Sequence, residues 1–113
     1  MVGKSVARVD SQAKVTGASK YSTDFYLRDM LHAKVLFSDR PRARILSIDT
    51  SRAEALPGVA AVVTGSDAPD HHYGLYVHDR TILAKDEVRF VGEHVAAVAA
   101  TSERIAEQAI GLI

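Results

Sequence analysis

Between residues 31 and 38 the chain alternates, with Leu31, Ala33, Val35 and Phe37 on one side and His32, Lys34, Leu36 and Ser38 on the other. Successive side chains leave an extended backbone in opposite directions, so a period of two predicts a β-strand with one buried face. Such a strand needs a hydrogen-bonding neighbour and a second layer over its apolar side. Two further short apolar runs are available for this, VAAVVT at 59–64 and VAAVAA at 95–100. Both contain β-branched valines and read as strands, although on propensity alone the Ala-rich stretch from Glu93 onward could be one long helix. The first predicts a strand buried on both faces.

Punctuation between these runs sets the remaining elements. Asp39-Arg40-Pro41-Arg42 predicts a turn, with Pro41 fixing φ. Residues 44–49 follow as a strand that would pair with the first as a hairpin. Ser51 and Glu54 have the spacing of a capping box, in which each side chain satisfies a free amide at a helix start. That helix is short, because Leu56-Pro57-Gly58 stops it. Gly65-Ser66-Asp67-Ala68-Pro69 turns the chain, 70–80 reads as loop, and Val88 to Val91 as another strand. Thr101-Ser102 followed by Glu103 supplies capping oxygens and a negative charge for a helix over 103–113. Its apolar face would carry Ile105, Ala106, Ala109, Ile110 and Ile113. The first twenty residues are polar, basic and small, and predict an extended N-terminal arm. The expectation is a single α+β domain over residues 1–113, built of mixed short strands with two helices and no regular βαβ rhythm. A helix left without a C-cap at Leu112-Ile113 suggests a piece cut from a longer protein.

Composition narrows the function. The 113 residues hold 14 basic and 14 acidic side chains, a balance that argues against a dedicated nucleic-acid binder. The basic cluster Arg40, Arg42 and Arg44 is short and has no aromatic neighbours on which bases could stack. No cysteine is present, which excludes disulfides, thiolate metal sites and iron–sulfur ligation by this chain. No apolar run approaches the ~20 residues of a membrane span, and the N-terminal segment lacks the apolar centre of a secretion signal. A cytoplasmic location with no membrane partner is the resulting expectation.

Candidate chemistry is sparse. His71, His72 and His78 share one loop, but adjacent side chains on extended backbone diverge and a metal needs three or four converging ligands. Gly92-Glu93-His94 interrupts the last apolar stretch and resembles half of an acid–base pair. Neighbours in a strand do not converge on one proton, so a bend at Gly92 with two solvent-facing polar residues is the better reading. Gly65-Ser66-Asp67 lacks the glycine spacing of a phosphate loop, and neither a dinucleotide fingerprint nor a nucleophile elbow occurs. No residue is assigned a catalytic, cofactor-binding or metal role. A carrier-like module related to biotinyl and lipoyl domains is the alternative. Its lysine would sit at a hairpin tip, whereas Lys34 lies in a strand pattern and Lys85 between Ala84 and Asp86.

The order of certain short pieces carries a resemblance. Arg8-Val9-Asp10, Lys14-Val15-Thr16-Gly17, Tyr21 and Asp24 are followed by Met30-Leu31-His32-Ala33, Ala43-Arg44-Ile45 and Ile48-Asp49. Leu56-Pro57-Gly58-Val59, Leu83-Ala84, Val88-Arg89-Phe90-Val91-Gly92-Glu93 and Val95-Ala96-Ala97-Val98 complete the series. Together they resemble the N-terminal α/β hammerhead domain of molybdenum hydroxylase large subunits, the family of xanthine dehydrogenase, aldehyde oxidase, carbon monoxide dehydrogenase and 4-hydroxybenzoyl-CoA reductase. Asp39-Arg40-Pro41-Arg42 and His94 depart from the family pattern. The resemblance implies a parent oxidoreductase with a molybdenum–pterin cofactor, and iron–sulfur clusters and FAD in partner domains or subunits. It places the pterin-binding segments and the catalytic glutamate downstream of the hammerhead. For this chain it implies packing against the molybdenum-binding domains, with no cofactor and no active site of its own.

Overall fold

The computed structural model describes residues 2–113. The chain divides into two compact units, Met1–Met30 and Leu31–Ile113. In the first unit none of the described residues is buried. Its arm is not extended throughout, as the sequence led us to expect, but carries a short helix, α1 (Ser11–Val15). The cause is local: Asp10 pairs with Lys14 one turn later at 2.6 Å, and the Thr16 hydroxyl donates to the Gln12 carbonyl at 2.8 Å. A single 3₁₀ turn, Ser22–Asp24, follows, closed by the Tyr21 amide donating to the Asp24 carboxylate.

The second unit holds strands β1 (His32–Phe37), β2 (Ala43–Arg44), β3 (Val59–Thr64), β4 (Glu87–Val88) and β5 (His94–Ala100). It also holds helices α2 (Ser51–Glu54) and α3 (Glu103–Ile110). The main sheet has the order β1-β5-β3, all antiparallel, and β2 and β4 form a separate antiparallel pair. β5 is central, and it alone shows the clean alternation of a one-sided strand. Ala96, Val98 and Ala100 are buried, while Val95, Ala97 and Ala99 are half-buried. Helix α3 packs on β1 and β5, and α2 on β3. The core between them gathers Ala53, Val98 and Ala109, with Leu56, Val62 and Ile110 partly buried around it. The Ser102 hydroxyl caps α3 by accepting from the Ile105 amide, as the sequence predicts, and Gly58 ends the α2 turn at φ +95°.

Several expectations are overturned. β1 does not pair with the segment after Pro41 but with β5, because the run after Pro41 forms only two residues of strand and these reach β4. β3 is not buried on both faces; it is an edge strand in which no residue is fully buried. The segment 88–91 leaves the ladder after Val88 and turns. No capping box forms at α2, since Thr50 is the N-cap and its hydroxyl bonds Glu54, while Ser51 bonds the Asp49 carboxylate.

The face of β1 is also reversed. Leu31, Ala33 and Phe37 are exposed with only Val35 half-buried among them, whereas His32, Lys34 and Leu36 on the opposite side are all half-buried. Lys34 makes this possible by lying along α3 with its ammonium on Glu103 at 2.8 Å, so that its methylenes cover apolar surface and its charge stays wet.

Candidate functional site

The Gly92-Glu93-His94 bend is the most chemically marked feature, and the geometry divides its three residues. Gly92 has φ +90°, in the left-handed region where glycine is favoured. Glu93 is buried at 6% exposure, against the expectation that it faces solvent. Its carboxylate is fully engaged. One oxygen accepts from the Arg89 backbone amide, the other from Arg89 Nε at 3.2 Å and Nη2 at 3.0 Å. Arg89 Nη1 also donates to the Asp79 carbonyl at 2.7 Å. This pair ties the bend to the loop before it, and Arg89 is the residue that sequence reasoning missed. Its signal is the four-residue spacing to Glu93, which suggests nothing in a segment that is not helical.

His94 has a different neighbour. It is exposed and meets Phe37 edge-on, ring centres 5.3 Å apart. The recess beside the bend, lined by Tyr73, Arg80, Thr81, Phe90, Gly92, Glu93 and His94, holds only about 90 Å³. A carboxylate saturated by a guanidinium is a poor proton acceptor, and the small recess that Glu93 and His94 both line leaves little room for a substrate. The stretch is a structural bend.

The loop histidines do not converge. His71, His72 and His78 are all exposed, and among the described residues no three His, Asp or Glu side chains lie close enough to hold a metal ion. Tyr73 and Arg80 exchange backbone hydrogen bonds at 2.8 and 3.1 Å, closing the loop at its base, and the Arg80 guanidinium lies 5.7 Å from the Phe90 ring centre. In the arginine cluster, Arg40 is paired with Asp39 and Arg42 with Glu87, which dissipates the basic field.

At Gly65-Ser66-Asp67 the Thr64 amide and hydroxyl both donate to the Asp67 carboxylate at 2.8 Å. These bonds, the backbone one foremost, hold the Asp67 carboxyl below its ordinary range. The turn is thus closed by its own anion and offers no cradle for a phosphate. Gly65 itself is buried, and a Cβ there would collide with the Ala84 carbonyl, so the glycine serves close backbone approach. Lys34 is held in a strand by Glu103, and Lys85 sits in the bend that leads into β4. Neither occupies a hairpin tip.

A hollow of about 580 Å³ forms an open cleft among Leu36, Ile45, Leu46, Val88 and Ile113. Its walls are mainly apolar and no set of donors converges in it. For a molybdenum–pterin group, the described residues supply neither a ligand set nor an enclosed polar cavity. They do not fit it.

Comparison with known proteins explains this pattern. The family model for the aldehyde oxidase and xanthine dehydrogenase a/b hammerhead domain matches residues 16–113. A probable xanthine dehydrogenase component of Bacillus subtilis is 48% identical over 107 residues, spanning 94% of this chain and 14% of that protein. The nicotinate dehydrogenase large molybdopterin subunit of Eubacterium barkeri is 38% identical, spanning 100% of this chain and 27% of its own length. Among solved structures, the reconstituted CO dehydrogenase from Oligotropha carboxidovorans superposes with a TM-score of 0.88 at 37% identity, over 97% of this chain and 14% of that one. The chain therefore spans only a small share of each of these relatives. It belongs to the aldehyde oxidase and xanthine dehydrogenase a/b hammerhead domain family.

Proposed function

We propose that residues 1–113 act as a single structural module, the N-terminal hammerhead domain of a much longer, molybdopterin-dependent oxidoreductase subunit. Its role is to pack against the molybdenum-binding part of that subunit. Iron–sulfur and FAD partners receive the electrons, the catalytic machinery lies outside this chain, and the assembly is cytoplasmic. One observation carries the reading. The fold matches its relatives along almost its whole length, yet the chain accounts for only 14% of a probable xanthine dehydrogenase component.

The test is to purify this 113-residue chain and, separately, the product of the complete reading frame that contains it. Molybdenum content and dye reduction with purine, aldehyde and N-heterocyclic substrates are measured for both. The short chain is expected to hold no molybdenum and reduce no dye, and the longer product to do both. Molybdopterin bound tightly to the short chain would overturn the proposal.

A further inference from the structure

The main sheet is covered on one face only. Antiparallel partners directly opposite one another share a face, so the register sorts the side chains. Val62 opposite Val98, and Lys34 on the other side of Val98, face the helices. Ala33 opposite Ala99, and Val35 opposite Ala97, with Ala61 and Val63 completing the rows on β3, lie on the other face. Phe37 is 56% exposed and Val63 41% exposed, Ala33 and Ala61 are also exposed, and Val35, Ala97 and Ala99 between them are half-buried. These rows contain no charged side chain. Their centre is alanine and their borders are Phe37 and Val63, a shallow apolar trough in which another layer could approach the backbone closely.

Surface area and chain length indicate what kind of layer. The chain exposes 8959 Å². A self-contained folded monomer of 12.2 kDa exposes roughly 6,000 Å². The excess is roughly 2,900 Å², shared between residues 2–30, none of which is buried, and the second unit with its open sheet face. The core is correspondingly thin, since Val98 is the largest side chain that is fully buried. The relatives above are several times longer than this chain, so the polypeptide at hand to cover the face is the remainder of such a subunit.

We infer that the uncovered face of the β1-β5-β3 sheet is a docking surface for an apolar layer supplied by the remainder of the same, longer subunit. The inference rests on the reading that the chain is part of such a subunit, and it names the surface through which the two pack. Ala61, Ala97 and Ala99 keep the trough low enough for the incoming layer to seat, and Phe37 and Val63 are its anchors.

Hydroxyl-radical footprinting read by peptide mass spectrometry tests this on the 113-residue chain and on the product of the complete reading frame. Phe37 and Val63 should oxidise readily in the short chain and about tenfold more slowly in the long one, as for residues entering the dry centre of an interface. Equal oxidation in both overturns the inference, and so does a reading frame that ends at Ile113. Protection in the short chain that grows with concentration, accompanied by a dimer in sedimentation, assigns the face to a second copy and also overturns it. Val63→Lys guards against a folding artefact. The short chain should keep its circular dichroism and melting temperature, while the long product becomes several-fold more sensitive to trypsin; wild-type resistance counts against docking. Molybdenum content reads the proposed function separately. A long product without molybdenum in which Phe37 is protected refutes that function and supports the docking surface.

Discussion

At the bend, three consecutive residues have three different duties, and substitution should separate them. Gly92 adopts φ +90° with open space around the position of a Cβ. Gly92→Ala therefore meets no neighbour and costs only backbone strain, about 1 kcal/mol or somewhat more. His94→Ala loses one exposed edge-on contact with Phe37 and should cost about 0.5 kcal/mol. Glu93 is the residue on which the bend depends. Removing it strands the Arg89 guanidinium, which is two-thirds covered, together with the Arg89 amide. Glu93→Ala should cost about 2 kcal/mol, less than a fully buried pair because Arg89 retains some solvent. Urea denaturation of the three variants checks the order Glu93, Gly92, His94; a His94 loss exceeding that of Glu93 would refute this account of the bend.

Among the elements, what was legible in the sequence depended on whether the determining contact was local. α3 was legible, because Ser102 and its apolar face are written within one segment, and so was β5, whose alternation survives burial. The capping oxygens at Ser51 were misread, since Asp49 and Thr50 compete for the same bonds. β1 shows the deeper limit. Its alternation shows that two faces differ, yet which face is covered depends on a helix nearly seventy residues away and on the Lys34–Glu103 bond. Arg89 with Glu93 was invisible for a different reason, since a four-residue spacing marks a pair only where the segment is helical. The family membership was legible because it is carried by the order of many weak pieces, none of which needed a correct strand assignment.

The Lys34–Glu103 bond also makes a pH prediction for the join of β1 to α3. The Lys34 hydrogen bond and charge hold the Glu103 carboxyl below its ordinary range, and Glu103 raises Lys34. The carboxylate's contribution is present above its unfolded pKa and fades as pH falls through ~4 and below. The lysine's contribution is present below its unfolded pKa and fades as pH rises beyond ~10.4. Glu103→Gln should therefore narrow the stability difference from wild type at both extremes and show it fully between them. Because the pair is solvent-exposed and screened, 1 M salt should erase most of the difference at pH 7. A difference that persists unchanged at pH 3 would assign it to something other than this pair.

On the scale of the molecule, the second unit contains its own sheet, its own helices and every buried side chain among the described residues. It should fold without residues 1–30. A chain of residues 31–113 is expected to show a cooperative thermal transition and the strand signal of the whole chain in circular dichroism. Its stability should be modest, because the core is built from alanines around Val98 and alanine burial yields little apolar area per ordered residue. The same thinness predicts where stability is to be regained. Val98→Ala removes the one bulky side chain that is fully enclosed, at a cost of about 2 kcal/mol. In the 31–113 chain that loss should abolish the cooperative transition at room temperature. In the complete subunit, where the open sheet face is covered, the same substitution should lower the melting temperature while leaving the domain folded. Calorimetry of the two forms distinguishes the outcomes, and a 31–113 variant that melts as cooperatively as its parent would show that the core is deeper than its alanines suggest.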